Sequence, residues 1–494
     1  MKPTITFRGE RIAPDAYFER YQRSAQALRA LGVVEGDVVA LMMTNSPLAL
    51  EFMLAARWIG AMWCAINWHF KSEEVQYILD NSGAKVLVVD APLWRGLSGV
   101  QPGAAKVFLS QPDDSNTLPS WQALREATPA STDAARPPRG PMFYTSGTTG
   151  KPKGILRAPA TPEQAANGQA VLRHVLGAEP GMTALVSAPM YHSAPNSYAI
   201  GVAQEGGHLI IEERFDAEDT LRLIATHRIS HAYLVPTMYV RLLRLPEDVK
   251  RQYDLSSMRF VASTGSPCPP DVKRAMIEWW GPVIHEAYGS SELGYMTRVD
   301  SAEALAKPGS AGKPLTGVRM AILDDKGLPV AQGTAGDIYV HQPAYADFSY
   351  IGNHAARERM ERDGLKTLGD VGYLDEDGYL FIVDRAADMC ISGGVNIYPA
   401  EIEAALTLMP GVADCAVFGI PDAEFGEALA AVVQPAPGAQ LDAAQVQSYL
   451  RGRLAGFKVP KLVTFQAEMP REDTGKIFKR KLREPYWAGL ARRI

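Results

Sequence analysis

The first 90 residues alternate between helical and strand-like segments, and this alternation is the feature that most constrains the fold. Residues 14–32 carry apolar side chains at helical spacing and predict an amphipathic helix, and residues 47–59 predict a second one. Residues 38–43 and 84–90 form short, continuous apolar runs that are typical of buried strands. Strands that alternate with helices of this length predict a mostly parallel α/β sheet, and they argue against an all-β or helical-bundle architecture.

The pattern changes three times further along the chain. Residues 101–140 are rich in Pro, Ser, Ala and Asp, and we interpret them as a surface connection. Residues 320–382 contain short strand-like runs separated by turns, which predict a small, mostly β subdomain. From about residue 384 a new order of helices and strands predicts a compact α+β unit of roughly a hundred residues. We therefore predict two domains, a large N-terminal one (1–385) of mixed, mostly parallel sheets plus the small β subdomain, and a small α+β C-terminal one (386–494).

Composition restricts the class of protein. A chain of 494 residues is too long for one hydrophobic core, and its net charge of −5, without a basic block, argues against nucleic-acid binding. No apolar run approaches the ~18 residues of a transmembrane helix, and the N-terminus has no signal-peptide core. The four cysteines are far apart, which argues against a zinc site or a disulfide framework and favours a cytoplasmic location. The sequence leaves open whether the protein forms a homodimer.

A loop rich in glycine and hydroxyl groups lies at residues 144–154. It holds three glycines, three threonines, one serine and two lysines. Glycine lets backbone N–H groups approach an anion, and hydroxyl and ammonium groups add donors, so this composition predicts phosphate binding. The spacing is not that of an NTPase P-loop, because Lys151 is followed by Pro152, and no G-x-G-x-x-G turn is present. The loop is therefore a phosphate site of another kind.

This loop resembles the signature loop of the adenylate-forming enzymes, a family of acyl- and aryl-CoA synthetases, adenylation domains of peptide synthetases, and luciferases. The resemblance extends over essentially the whole chain. It implies that the following loop residues bind ATP: Thr145, Ser146, Gly147, Thr148, Thr149, Gly150 and Lys153.

A second motif, residues 288–292, resembles the Tyr-Gly-x-Thr-Glu motif of that family. The resemblance implies that Tyr288 stacks on adenine, that the Ser291 hydroxyl bonds the α-phosphate and that Glu292 holds Mg²⁺. In the same way Asp370 is implied to bind the ribose, and Arg385 the ribose and phosphate. The full set of residues implied to bind nucleotide outside the loop is Gly265, Ser266, Pro267, Tyr288, Gly289, Ser290, Ser291, Asp370 and Arg385.

Three motifs in the C-terminal part complete the resemblance. Residues 392–403 resemble the segment that lines the tunnel for the pantetheine arm of CoA, which implies that Ser392, Gly393 and Gly394 bind CoA. Residues 457–460 resemble a later segment near the CoA nucleotide, which implies that Lys458 binds CoA as well. Residues 470–477 resemble the segment that carries the catalytic lysine, here Lys476. The family rotates its small C-terminal domain as a mobile lid about a hinge residue. That residue is usually Asp or Lys but is Ala387 here.

The resemblance implies an ATP-dependent carboxylic acid:CoA ligase, which forms acyl-AMP and pyrophosphate and then acyl-CoA and AMP. Its co-substrate would be CoA, and its catalytic residues Lys476 and Glu292. The inferred acyl pocket is apolar and aromatic, without an evident arginine for a second carboxylate. We therefore predict a hydrophobic monocarboxylic acid, either a medium- or long-chain fatty acid or an aryl or phenylpropanoid acid of the cinnamate type. The pocket residues are His192, Tyr198, Tyr233, Val235, Gly294 and Tyr295.

Two other functions stay open from the sequence. One is a stand-alone adenylation enzyme that loads a carrier protein in trans. The other is a luciferase-like oxygenase or a non-catalytic nucleotide-binding scaffold. Acidic and basic residues at all four expected positions argue against a scaffold, and these positions are Glu292, Asp370, Arg385 and Lys476.

Overall fold

The computed structural model describes residues 2–145, 152–385, 388–392, 395–470 and 477–488. Its helices are α1 (Pro14–Ala30), α2 (Pro47–Trp58), α3 (Ser72–Ser82), α4 (Ala91–Arg95), α5 (Trp121–Ala127), α6 (Pro162–Leu176), α7 (Ser193–Gln204), α8 (Ala217–His227), α9 (Pro236–Leu243), α10 (Glu247–Lys250), α11 (Pro270–Trp280), α12 (Ser301–Ala306), α13 (His354–Glu358), α14 (Pro399–Thr407), α15 (Ala443–Arg451) and α16 (Lys479–Trp487). Its strands are β1 (Thr4–Phe7), β2 (Glu10–Ile12), β3 (Val38–Met42), β4 (Met62–Ala65), β5 (Val86–Val89), β6 (Lys106–Leu109), β7 (Tyr144–Thr145), β8 (Lys153–Arg157), β9 (Thr183–Val186), β10 (His208–Ile211), β11 (His231–Leu234), β12 (Phe260–Ser263), β13 (Ile284–Ser290), β14 (Gly294–Val299), β15 (Lys313–Pro314), β16 (Arg319–Leu323), β17 (Gly336–His341), β18 (Phe348–Tyr350), β19 (Glu361–Arg362), β20 (Leu365–Leu374), β21 (Leu380–Arg385), β22 (Cys390–Ser392), β23 (Val395–Ile397), β24 (Val412–Asp422), β25 (Gly426–Pro435) and β26 (Leu462–Phe465).

The chain divides into two compact units, and the first holds Met1–Pro308, Leu315–Val318 and Gln342–Glu361. One of its sheets runs in the order β14-β13-β12-β11-β9-β10-β1-β2. The strands from β13 to β1 in this order pair in parallel, and the two outer strands pair antiparallel. A second, wholly parallel sheet has the order β4-β3-β5-β6, and a small antiparallel one has the order β18-β8-β7. The predicted α/β fold with mostly parallel sheets is confirmed.

Local sequence explains why the first elements form. All five side chains of β3 are buried, as expected for a strand covered on both faces of a parallel sheet. Helix α2 begins with Pro47, and the side chain of Ser46 accepts a hydrogen bond from the Ala49 N–H, which satisfies one of the free donors of the first turn. The predicted helices at 14–32 and 47–59 and strands at 38–43 and 84–90 are therefore confirmed.

The interpretation of residues 101–140 as a surface connection is wrong for residues 106–109 and 121–127. This segment contains β6, which pairs with β5, and α5, whose Trp121 is fully buried between the rings of Phe52 and Phe108. Arg125 on the same helix forms an ion pair with Glu51 of α2 at 2.9 Å, with side chains 8% and 1% exposed. The many polar and small residues of the segment hid a strand and a helix that belong to the core.

The second unit holds Gly309–Pro314, Arg319–His341 and Arg362–Ile494. Its antiparallel strands β16, β17, β20 and β21 form the small β subdomain that the turns predict. A second sheet joins β22 and β24 to β25, with β26 parallel to β25, and α14 and α15 pack on it around buried aliphatic side chains. This unit places residues 362–385 with those that follow them, so a domain boundary at residue 385 stays a prediction, and the predicted hinge, Ala387, lies outside the described residues.

In the parts of the chain that the structure describes, no helix is long and apolar enough to span a membrane.

Candidate active site

The carboxyl ends of the central parallel strands lie at one edge of the large sheet, where ligands of α/β proteins commonly bind. Leu234 at the end of β11 pairs with Ser263 at the end of β12, and Ser263 pairs in turn with Glu286 on β13. The residues that follow these strands therefore come together. A Cβ atom added to Gly265 would lie 4.0 Å from Val235 Cγ1. The predicted adenine segment thus adjoins the predicted acyl pocket.

The predicted phosphate loop, residues 144–154, begins and ends on two paired strands. Thr145 on β7 pairs with Lys153 on β8, and the Lys153 ammonium lies 5.1 Å from the centroid of the Tyr350 ring on β18. A cation in this position is stabilised by the electron-rich face of the ring. The remaining predicted loop residues lie outside the described residues, and they are Ser146, Gly147, Thr148, Thr149 and Gly150.

The carboxylate of Glu292 is held by two hydroxyl donors. Thr145 donates to Oε1 at 3.1 Å, and Tyr350 donates to the same oxygen at 3.2 Å. Burial raises the pKa of Tyr350, and the nearby Glu292 raises it further, so the phenol keeps its proton and remains a donor. The carboxylate of Glu292 offers hard oxygen atoms beside the start of the predicted phosphate loop. This fits Mg²⁺, which proteins hold through one or two carboxylates together with phosphate oxygens.

Ser291, the predicted α-phosphate ligand, lies in the turn between β13 and β14 and contacts the first residue of a helix. Its hydroxyl donates to the Ser193 hydroxyl at 2.9 Å, and Ser193 is the first residue of α7. His192 is the N-terminal cap of this 12-residue helix, and its ring lies 4.2 Å from that of Tyr191. The amino end of a helix carries unpaired N–H groups and partial positive charge, so anionic groups are stabilised there.

Three buried tyrosines make up half of the predicted acyl pocket, and they are Tyr198, Tyr233 and Tyr295. The Tyr198 and Tyr233 rings lie 5.8 Å apart, and the Tyr233 hydroxyl shares a 2.7 Å hydrogen bond with Thr264 Oγ1. Burial raises the pKa of the Tyr198, Tyr233 and Tyr295 phenols, so all three stay neutral. The structure thus brings neutral, largely apolar side chains to the sheet edge.

Two glycines shape the β13–β14 hairpin that carries residues 288–292. Gly289 pairs with Tyr295, and a Cβ on Gly289 would lie 2.7 Å from the Gly294 carbonyl oxygen. Gly294 has φ +74°, and a Cβ there would lie 2.2 Å from the Tyr345 ring. Both positions require glycine, because the strand and the ring leave no space for a side chain.

We expect Gly294→Ala to lower the free energy of unfolding by about 2–4 kcal/mol, because it adds strain at positive φ to a collision with Tyr345. Pyrophosphate–ATP exchange should fall as well, since the hairpin carries Glu292. Gly9→Ala is the matched control, because Gly9 has φ +80° with nothing within 4 Å of the added Cβ. Urea unfolding of both variants is the measurement. Equal losses of stability would show that the Tyr345 contact has no effect.

In the second unit, the predicted ribose ligands contact each other. Asp370 on β20 pairs with Arg385 on β21, and Arg385 Nε donates to Asp370 Oδ1 at 3.1 Å. Ser392 ends β22, and Lys458 forms a 2.5 Å ion pair with Glu401. The predicted Gly393, Gly394 and Lys476 lie outside the described residues.

Two contacts of Glu292 come from residues that sequence reasoning missed. Tyr350 contacts its carboxylate, and Arg157 contacts its main chain. Neither belongs to a recognisable motif. Only their positions in the small sheet could have pointed to them. Arg157 ends strand β8, which follows the predicted phosphate loop, and Tyr350 lies on the short strand β18, which pairs with β8.

Comparison with known families adds to this geometry. A family model described as "AMP-binding enzyme" matches residues 2–347, and one described as "AMP-binding enzyme C-terminal domain" matches residues 401–476. The chain belongs to the AMP-binding enzyme family. Among curated relatives of this AMP-binding enzyme is a feruloyl-CoA synthase from Amycolatopsis sp, 35% identical, with 94% of this chain and 92% of the relative covered. A long-chain-fatty-acid–CoA ligase from Mycobacterium tuberculosis is 33% identical, with 94% and 91% covered.

A fatty acid–[acyl-carrier-protein] ligase from Streptomyces coeruleorubidus is 30% identical, with 100% of this chain and 95% of that protein covered. Among solved structures, ATP-bound MatB from Rhodopseudomonas palustris is similar with a TM-score of 0.85 at 31% identity, and 98% of this chain and 96% of that chain are covered. The o-succinylbenzoate CoA synthetase from Bacillus subtilis, in complex with its acyl-adenylate intermediate, has a TM-score of 0.82 at 25% identity, with 97% and 95% covered. These similarities identify the AMP-binding enzyme as an adenylate-forming enzyme of the acyl/aryl-CoA synthetase type.

Proposed function

We propose that the enzyme is an ATP-dependent carboxylic acid:CoA ligase that works in two steps. The observation that carries this proposal is the position of the Glu292 carboxylate. It accepts hydrogen bonds from Thr145, the residue before the central part of the phosphate loop, and from Tyr350. A metal-binding carboxylate held against a phosphate loop is what nucleotide activation requires.

In the first step a carboxylate oxygen of the acid attacks the α-phosphorus of ATP, and the bond to the pyrophosphate oxygen breaks. Acyl-AMP and pyrophosphate are the products. Two anions approach each other, and at ~4 Å and an effective dielectric near 20 each charge pair costs on the order of 4 kcal/mol. Lys476 and Lys153 supply positive charge, and Ser291 and the helix α7 terminus supply donors. Mg²⁺ held by Glu292 would neutralise phosphate charge.

In the second step the CoA thiol attacks the acyl carbonyl carbon and AMP leaves, so that a thioester forms. No protein nucleophile is required. Ser392 and Lys458 would guide CoA, together with Gly393 and Gly394. Asp370 and Arg385 would hold the ribose in both steps, and the present ion pair between them would open to take the two ribose hydroxyls.

The proposed substrate is a hydrophobic monocarboxylic acid of the aryl or fatty type. The buried phenols at the sheet edge are neutral, which suits an uncharged acyl group. The names of relatives at 33–35% identity include feruloyl-CoA synthase, long-chain-fatty-acid–CoA ligase and indoleacetate–CoA ligase, and these support both chemical types.

The alternative acceptor is the thiol of a carrier protein in trans. The similarity to a fatty acid–[acyl-carrier-protein] ligase over 100% of this chain favours keeping it as the second candidate. The first step would be the same for both acceptors.

An acid panel tests the proposal. The enzyme is incubated with ATP, Mg²⁺, and either CoA or a phosphopantetheinylated carrier protein, and with ferulate, cinnamate, indole-3-acetate, octanoate or palmitate. We expect AMP and pyrophosphate in equal amounts and an acyl-CoA detected by mass spectrometry for at least one acid. Formation of ADP would contradict the mechanism. Thioester on the carrier protein but none on CoA would establish the alternative.

A further inference from the structure

Arg157 makes three hydrogen bonds to main-chain carbonyl groups in the active-site region. Its Nη2 donates to the Ser291 carbonyl at 2.9 Å and to the Glu292 carbonyl at 2.6 Å, and its Nη1 donates to the Ala346 carbonyl at 2.9 Å. Its guanidinium lies 5.7 Å from the centroid of the Tyr345 ring. One side chain thus joins the turn after β13 to the segment before β18.

The turn between β13 and β14 needs this support. Strand β13 ends at Ser290 and β14 begins at Gly294, so residues 291–293 lie outside the ladder of strand hydrogen bonds. Within the turn, the Leu293 N–H donates to Ser290 Oγ at 2.9 Å. The carbonyls of Ser291 and Glu292 take their donors from Arg157, whose planar group offers several N–H donors in a fixed arrangement.

The strand that carries Arg157 also organises the Glu292 carboxylate. Strand β8 is the middle strand of the β18-β8-β7 sheet. Its neighbours carry the two donors to Glu292, with Thr145 on β7 and Tyr350 on β18. The main chain of Glu292 is therefore held from β8, while its carboxylate is held from the two strands beside it.

We propose that Arg157 is a positioning residue, which sets the affinity of the Glu292 carboxylate for the divalent metal of the bound nucleotide by fixing the main chain at Ser291 and Glu292. The identity of the nucleotide rests on the proposed function. The positive charge of Arg157 cannot raise the affinity for the metal, since a cation near a metal ligand repels the metal. Arg157 must therefore raise the metal affinity by fixing the position of Glu292. Replacing a group that orients a metal ligand typically changes metal affinity 10–100-fold.

The test is Arg157→Lys, which keeps the charge and removes the fork of donors. The matched control is Arg357→Lys. Arg357 is a buried arginine that supports the same strand β18 through the Phe348 carbonyl at 3.2 Å and the Asp347 carboxylate at 2.8 and 3.0 Å. Its hydrogen bonds go to neither Ser291 nor Glu292. Both variants weaken the support of β18, but Arg157→Lys alone releases the turn.

Three quantities are measured on the full chain: the dissociation constant of Mn²⁺ with ATP present, by electron paramagnetic resonance; the dissociation constant of ATP in EDTA, by calorimetry; and Tm. For Arg157→Lys we expect the Mn²⁺ dissociation constant to rise about tenfold or more, with ATP binding in EDTA changed less than about twofold. For Arg357→Lys we expect the Mn²⁺ dissociation constant to be unchanged within about twofold, even if its Tm falls as much as the Tm of Arg157→Lys.

Equal changes in Mn²⁺ affinity for the two variants would overturn the proposal, because the effect would then come from the stability of β18. Unchanged Mn²⁺ affinity in Arg157→Lys would also overturn it. Arg157→Gln, which keeps a planar donor group, replaces Arg157→Lys if the latter does not fold. If neither folds while Arg357→Lys does, Arg157 is a folding residue and the proposal is wrong. None of these readouts needs turnover, so a wild-type enzyme without AMP-forming activity would contradict the proposed function alone.

Discussion

Lys476→Ala is expected to lower the rate of acyl-adenylate formation about a thousandfold. A positive charge about 4 Å from the phosphoryl group contributes on the order of 4 kcal/mol at an effective dielectric near 20, and each 1.4 kcal/mol corresponds to about a factor of ten in rate. The second step should be largely retained, because thiol attack on acyl-AMP brings no anion toward a phosphate. The measurements are pyrophosphate–ATP exchange for the first step and thioester formation from supplied acyl-AMP for the second.

Lys481→Ala is the matched control for this experiment. Lys481 is an exposed residue of α16, in the same basic stretch five positions after Lys476. It should change neither step by more than about twofold, since exposed charges are screened by water and salt. An equal loss of both steps in Lys476→Ala would contradict the separate use of this lysine in adenylation. A comparable loss in Lys481→Ala would mean that general positive charge is the cause.

The elements that the sequence predicted are those whose local pattern agrees with their burial. The helix predicted at 47–59 is α2 (Pro47–Trp58), which carries its own start signals in Ser46 and Pro47, and the apolar run at 84–90 contains β5 (Val86–Val89). The failure at 101–140 has a physical reason. Trp121 and Arg125 are buried through contacts with Phe52 and Glu51, and no local pattern of the segment shows these partners.

The candidate site also has a part that the sequence predicts and a part that only the structure shows. Motifs singled out Glu292, Asp370 and Arg385, which the structure places in the turn between β13 and β14 and on the paired strands β20 and β21. What the sequence could not show is which groups hold them. Tyr350 meets Glu292 only because the short strand β18 pairs with β8, and that register is a tertiary property. The Asp370–Arg385 contact likewise depends on the register of two antiparallel strands.

Arg125→Met is expected to lower the free energy of unfolding by about 3–5 kcal/mol, because it leaves the carboxylate of Glu51 buried without its ionic partner. The two side chains are 8% and 1% exposed, and their 2.9 Å ion pair joins α5 to α2. Ser24 Oγ also donates to Glu51 and lowers its pKa, but one hydroxyl cannot replace the guanidinium. Urea unfolding at pH 7 measures the loss. Arg222→Met is the control, since the Arg222–Asp219 pair is 51% and 40% exposed and should contribute less than about 1 kcal/mol.

The loss in Arg125→Met should depend on pH in a definite direction. Burial raises the pKa of Glu51, and Arg125 acts against this rise. Without Arg125 the folded-state pKa of Glu51 increases further above its unfolded value. A carboxyl group with a raised pKa favours the folded state below its unfolded pKa, and this contribution is lost as pH rises through the folded pKa. The free energy of unfolding of the variant should therefore be closer to that of wild type at pH 5 than at pH 8.

Arg125→Met combined with Glu51→Leu should recover most of the stability at pH 8, because no charge then remains buried. A loss that is the same at both pH values, or no recovery in the double variant, would show that packing around α5, and not the buried charge, determines the result.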